Sequence, residues 1–89
     1  MQIRFVKTIQ FTTLLKAGGR LREFNFNKKS TPEGEIFTVN VCDDRGDRIF
    51  FSMHKEQNQW RFINPPIFPW IIQNEDKLSE IIEEELAKD

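Results

Sequence analysis

Reactive side chains are scarce in this 89-residue chain, which has one cysteine, Cys42, and one histidine, His54. A single thiol excludes an intramolecular disulfide, so a reducing compartment, the cytoplasm first, is the expected location. One Cys and one His do not supply the three or four ligands of a zinc site. No apolar run approaches the length of a membrane span, and Arg4 and Lys7 break up the N-terminal stretch where a secretory leader would be apolar. The net charge of −1 removes any global polyelectrolyte signal for nucleic acid or membrane. Internal repeats, low-complexity tracts and linkers are missing too, which leaves one domain over residues 1–89.

Glycine-rich phosphate loops are equally absent: Ala17-Gly18-Gly19-Arg20 is an isolated glycine pair without the lysine-containing loop or the helix that should follow it. Asp43, Asp44 and Asp47 cluster around Gly46, as calcium ligands do, but no distal bidentate glutamate stands at the required spacing. Turn chemistry accounts for them. Nothing selects a catalytic pair among the acids, so neither a metal nor a cofactor is implied and an enzyme is not expected.

What the chain does hold is aromatic bulk: nine Phe and two Trp, which matter because a domain of this size builds only a small core and must fill it efficiently. Their spacing is that of strands. Phe37, Val39 and Val41 alternate with Thr38, Asn40 and Cys42; Ile49, Phe51 and Met53 repeat the pattern, and Trp60 and Phe62 continue it. Gly46 suits the left-handed position of a three-residue loop, which pairs Cys42 with Arg48, Val41 with Ile49, Val39 with Phe51 and Phe37 with Met53. A one-residue slip would scatter these apolar residues over both faces. Lys55-Glu56-Gln57-Asn58 fits a four-residue loop that pairs Met53 with Trp60 and Phe51 with Phe62.

Leu21 to Lys28, with Phe24 and Phe26 alternating with polar residues, makes a further strand. The expected fold is therefore α+β: a four-stranded antiparallel meander with a C-terminal helix packed on its aromatic face. Pro65-Pro66 ends the sheet, Pro69 suits a first helical turn, and Ile71, Leu78, Ile81, Ile82 and Leu86 form one apolar stripe. Glu75 and Asp76 suit a helix N-terminus, leaving open a break near Asn74. The late glutamates oppose the helix dipole and call for fraying or a basic neighbour. The N-terminal segment is the ambiguous part. Ile3 and Phe5 alternate like a strand, and Phe11 to Gly19 favours a short helix capped near Thr12, the alternative being a strand that turns at Gly18-Gly19.

Function is not assigned by any motif, so candidate sites follow from the fold. The register places Cys42 and His54 roughly 20 Å apart along one strand direction, too far for a nucleophile and its base. The second sheet face carries Ile36, Arg48, Phe50, Arg61 and Ile63, with Phe50 opposite Ile63. Cover by Phe5, Ile9 and Phe11 from the N-terminal segment would make this face structural. Left open, it suits a homo-oligomer or another protein partner, as do the edge strands. An alternative is a single-stranded nucleic-acid or anion site using Arg48, Phe50, Arg61 and the basic N-terminal third, where Arg4, Lys7, Lys16, Arg20, Arg22, Lys28 and Lys29 stand against Glu23. That bias, set against the acidic C-terminus, also fits two oppositely charged parts facing each other within the fold. A second alternative is an apolar-ligand cavity around Phe24, Phe37, Phe51 and Trp60.

Overall fold

A computed structural model describes residues 9–88. Five antiparallel strands follow one another across a single sheet that curls as a half-barrel: β1 (Gln10–Ala17), β2 (Arg20–Thr31), β3 (Gly34–Cys42), β4 (Arg48–Glu56) and β5 (Gln59–Phe62). A single turn of helix, α1 (Pro69–Ile72), and a longer one, α2 (Glu75–Leu86), follow β5. The expected α+β meander and C-terminal helix are present, with one strand more than the four expected. The break near Asn74 is where α1 gives way to α2.

The additional strand replaces the helix favoured for Phe11 to Gly19. Phe11, Thr13, Leu15 and Ala17 lie on the core side, while Gln10, Thr12, Leu14 and Lys16 are exposed. The adjacent Leu14 and Leu15 disguise this alternation, because Leu14 is 61% exposed. Gly18 and Gly19 close the β1–β2 hairpin with φ of 62° and 79°, the two left-handed residues of a tight turn whose twist matches paired strands. Ile3 and Phe5 lie outside the described residues.

The β3–β4 hairpin has the expected register from Phe37–Met53 to Cys42–Arg48. Asp43 N–H donates to Asp47 O at 2.9 Å, Gly46 has φ 86°, and the Asp43 carboxylate accepts the N–H groups of Arg45 and Asp47 at 2.9 Å each. The Asp43 side chain thus forms the turn, whereas the Asp44 carboxylate turns away to Arg20 and Arg22. The β4–β5 hairpin differs from expectation: Met53 pairs with Phe62 and Lys55 with Trp60. Its turn is the two residues Gln57 and Asn58, at φ 50° and 72°. Asparagine tolerates that conformation and glutamine adopts it rarely, so the short turn is hidden in the sequence. The shift is by two residues, and every side chain therefore keeps its face.

Among the described residues thirteen apolar side chains form the core cluster, including Phe24, Phe26, Phe37, Val39, Phe51, Met53, Trp60 and Phe62 from the sheet and Ile71, Leu78 and Ile82 from the helices. Phe11 stacks on Phe26 at 4.6 Å between centroids, and Phe37 meets Trp60 edge-on at 5.1 Å. Helix α2 lies against β5, where two of its side chains finish what the sheet leaves open. The N–H of Trp60 donates to Ser79 Oγ and that of Phe62 to Glu75 Oε2, both at 2.9 Å. Glu83 near the C-terminal end of α2 finds its basic neighbour in Lys55, 2.8 Å away, and accepts from Trp60 Nε1 at 3.2 Å. No described helix is long and apolar enough to cross a membrane.

One charge enters the core. The Arg22 side chain is 5% exposed; its Nε donates to Ala17 O at 2.8 Å, Nη1 to Cys42 O at 3.3 Å and Nη2 to Asp44 Oδ1 at 2.9 Å. Its Cζ lies 3.9 Å from the centre of the Trp70 ring, a cation–π contact. Paired β2–β3 residues run from Asn25–Asn40 to Thr31–Gly34, and at the far side of that stretch the guanidinium takes up the Cys42 carbonyl. Arg22 thereby ties the β1–β2 turn, the β3–β4 loop and α1 together. It also holds the Asp44 carboxyl below its ordinary value of 3.8, through the hydrogen bond from Arg22 first, then its charge and the second bond from Arg20.

Candidate functional site: the open face of the sheet

Because α1 and α2 contribute to the core side, the opposite face presents alternate residues of every strand. Among the described residues no element lies over it. The cover expected from the N-terminal segment does not form in its described part, since Ile9 and Phe11 pack against the core cluster instead. Phe5 lies outside the described residues.

Arg48, opposite Cys42, donates from Nη1 to Asn40 Oδ1 at 2.7 Å. Phe50 stands opposite Asn40 and is 70% exposed. Its expected partner Ile63, 42% exposed, instead lies opposite Ser52, whose carbonyl accepts the Ile63 N–H at 3.0 Å. The two-residue turn between β4 and β5 causes this displacement, and it leaves Phe50 and Ile63 as diagonal neighbours. Ile36 is half-buried and pairs with His54, which on its other side pairs with Arg61. Ile36, His54 and Ile63 share a groove of about 690 Å³ with Lys55, Trp60 and Leu86. This open volume lies at the rim, beside Trp60. The space around Phe24 and Phe37 is filled, since both side chains are wholly buried.

Arg61 does not point its charge at the face alone. Its Nη1 contacts Glu75 at 3.2 Å and Asp76 at 3.0 Å, in the first turn of α2, and Nη2 donates to Gln59. The charge segregation of the sequence is resolved pairwise. Basic residues of the N-terminal third meet Asp44 and Glu35, whereas acids of α2 meet Lys55 and Arg61. The two charged ends therefore do not face each other among these pairs.

A polar ladder that the sequence reading missed crosses the middle of the face. Thr12 Oγ1 donates to Asn25 Oδ1 at 2.7 Å, and Asn25 Nδ2 to Asn40 Oδ1 at 3.1 Å, the oxygen that also receives Arg48. Four strands are joined through their side chains. The signal available was the run of outward asparagines at positions 25, 27 and 40, but its meaning depends on β1 being a strand. The ladder makes the middle of the face polar, between exposed Leu14 and Leu21 on the β1–β2 side and Phe50 and Ile63 on the β4–β5 side.

Chemically, the arrangement lacks an obvious reacting pair. The register separates Cys42 and His54 by the strand length from Arg48 to His54, roughly 20 Å, and His54 Nε2 lies 3.4 Å from Glu56 Oε2. Among the described residues no group of three or more His, Cys, Asp or Glu side chains is placed to hold a metal. Compared with protein-family models, curated proteins and solved structures, the chain matches none.

Proposed function

We propose that this domain is a non-enzymatic, cytoplasmic protein-interaction module that binds a further copy of itself through the open face, with Phe50 at the centre of the contact. One observation carries the reading: a phenylalanine 70% exposed in mid-strand, beside Ile63 at 42%, on a face that no described element covers. A large aromatic surrounded by polar side chains is the composition of an interface core with a polar rim. The Thr12–Asn25–Asn40–Arg48 ladder ties side chains of that surface together across four strands, and side chains already bonded to each other have less freedom to lose on association. The anion-binding alternative on Arg48, Phe50 and Arg61 has less support, because Arg61 is already engaged by Glu75 and Asp76.

Light scattering on a size-exclusion column, with absorbance read at 260 and 280 nm, tests the reading. The wild-type chain is expected to run above monomer mass without excess absorbance at 260 nm. Phe50→Asp should reduce the mass while leaving the circular dichroism spectrum unchanged. An unchanged mass for that variant removes the proposal, and co-purifying nucleic acid whose binding falls steeply with salt would put the anion reading in its place.

A further inference from the structure

The two edges of the sheet are treated differently by the fold. At β5 the outward N–H groups belong to Trp60 and Phe62, since Ile63 directs its own N–H toward β4, and α2 accepts both through Ser79 and Glu75. That edge is closed by the chain itself. At β1 no described residue does the same. Lys28 N–H donates to Ile9 O at 2.9 Å, so odd-numbered residues of β1 face β2 and the N–H and C=O groups of Gln10, Thr12, Leu14 and Lys16 point outward. Among the described residues those outward N–H groups have no protein partner.

Devices that ordinarily blunt an edge are missing from this one. β1 has no proline, a single charged side chain at Lys16, and pairs without a bulge from Gln10 to Ala17. On its core side Phe11 and Leu15 are only partly buried, so the apolar layer of the core continues to the open edge.

We infer that β1 is a self-complementary edge that pairs antiparallel with β1 of a second copy, joining two five-stranded sheets into one of ten strands. A two-fold axis relating antiparallel neighbours must stand perpendicular to the sheet, which forces residues of the same parity to face each other. With the axis at Thr13, Gln10 pairs with Lys16 of the second copy and Thr12 with Leu14 of the second copy. Every outward-facing residue from Gln10 to Lys16 then exchanges its hydrogen bonds. Phe11 meets Leu15 of the second copy on the core side, covering the part that each leaves exposed, and Leu14 gains a neighbour on the open side. Moving the axis to Leu14 sets Phe11 opposite Ala17 of the second copy and Gln10 opposite Gly18 beyond the strand end, so Thr13 is the better centre. No acid or second lysine opposes Lys16, so no like charges clash.

This contact is separate from the one proposed at Phe50, and the same-parity register decides how the two combine. Both open faces lie on the same side of the ten-stranded sheet. Two such sheets meeting face to face close as a particle of four chains with perpendicular two-folds.

Leu14→Pro and Leu14→Lys test the inference, measured with wild type and Phe50→Asp by light scattering at roughly 100 μM, a concentration at which micromolar contacts are filled. Proline at this position removes only an outward N–H, and lysine adds charge at the edge while keeping the backbone intact. The second variant decides if the first unfolds. Edge and face contacts together give a wild-type tetramer that falls to a dimer with either Leu14 substitution and to a different dimer with Phe50→Asp. A wild-type dimer split by the Leu14 substitutions but not by Phe50→Asp keeps the edge and overturns the open-face reading. A dimer split by Phe50→Asp alone, or a monomer, overturns the edge. Amide exchange gives a second readout: the Thr12 and Leu14 amides should gain protection as concentration rises, and concentration-independent exchange there contradicts the pairing.

Discussion

Trp60 and Ser79 are joined by a hydrogen bond of 2.9 Å from the strand's backbone N–H to the helix hydroxyl, in a place where Trp60 is 2% and Ser79 7% exposed. A helix side chain here does the work of a missing neighbouring strand. With Glu75 doing the same for Phe62, α2 is hydrogen-bonded to the edge it covers as well as packed on it.

Ser79→Ala should therefore cost more than its small change in volume. The buried Trp60 N–H would lose its acceptor, and an unsatisfied buried donor costs about 1–3 kcal/mol. Urea unfolding followed by tryptophan fluorescence measures this. A stability within a few tenths of a kcal/mol of wild type would mean that the hydrogen bond contributes nothing net.

Arg22 and Asp44 predict a pH dependence. Asp44 has its folded-state pKa lowered from 3.8. A lowered carboxyl pKa contributes stability that is complete above the unfolded value and disappears as pH falls through the folded one. Wild type should thus be more stable than Asp44→Asn at neutral pH, and the two thermal midpoints should converge as pH drops below about 4. A constant difference down to pH 2 would contradict the assignment. Arg22→Met, by contrast, should lower stability at neutral and at low pH alike by about 1–3 kcal/mol, because it leaves the Cys42 carbonyl without its donor.

The glycines of the β1–β2 turn are not equivalent. Both have positive φ, but a Cβ on Gly18 would meet the Trp70 side chain and its ring at 3.0 Å, whereas Gly19 has open space around it. Gly19→Ala should cost only the left-handed strain of about 1–2 kcal/mol. Gly18→Ala adds overpacking against Trp70, a further cost of about 1–3 kcal/mol. Equal denaturation midpoints for the two variants would show that Trp70 moves aside freely.

Legibility of the fold varied with how much of each signal was local. Alternation in Phe37–Val41 and Ile49–Met53 and the glycine at position 46 agreed on one register for β3 and β4, and the structure has it. β1 was misread as helical because Leu14, facing outward, breaks the alternation that Phe11, Leu15 and Ala17 would otherwise display; its identity comes from pairing with β2, a tertiary fact. The Gln57-Asn58 turn was hidden for a different reason, since glutamine seldom adopts positive φ. Of the proposed contact residues, the faces of Ile36, Arg48, Phe50, Arg61 and Ile63 were readable from parity alone, which a two-residue shift preserves. Their neighbours were not: Phe50 faces Asn40 with Ile63 on the diagonal, and Arg61 turns to α2, because partners depend on loop length and on where the helix begins. Arg22 shares parity with Phe24 and Phe26, so its core-side position was present in the alternation.

The sheet order β1-β2-β3-β4-β5 repeats the order of the chain, so every strand's neighbours are the segments just before and after it. Low contact order of this kind lets each hairpin close its loop at small entropic cost before the next is added, and it places the chain toward the rapid end of folding for a β-rich domain. Docking of α2 is then the step that completes β5. Among the described residues, that step leaves β1 as the one edge strand whose outward N–H groups the fold does not pair.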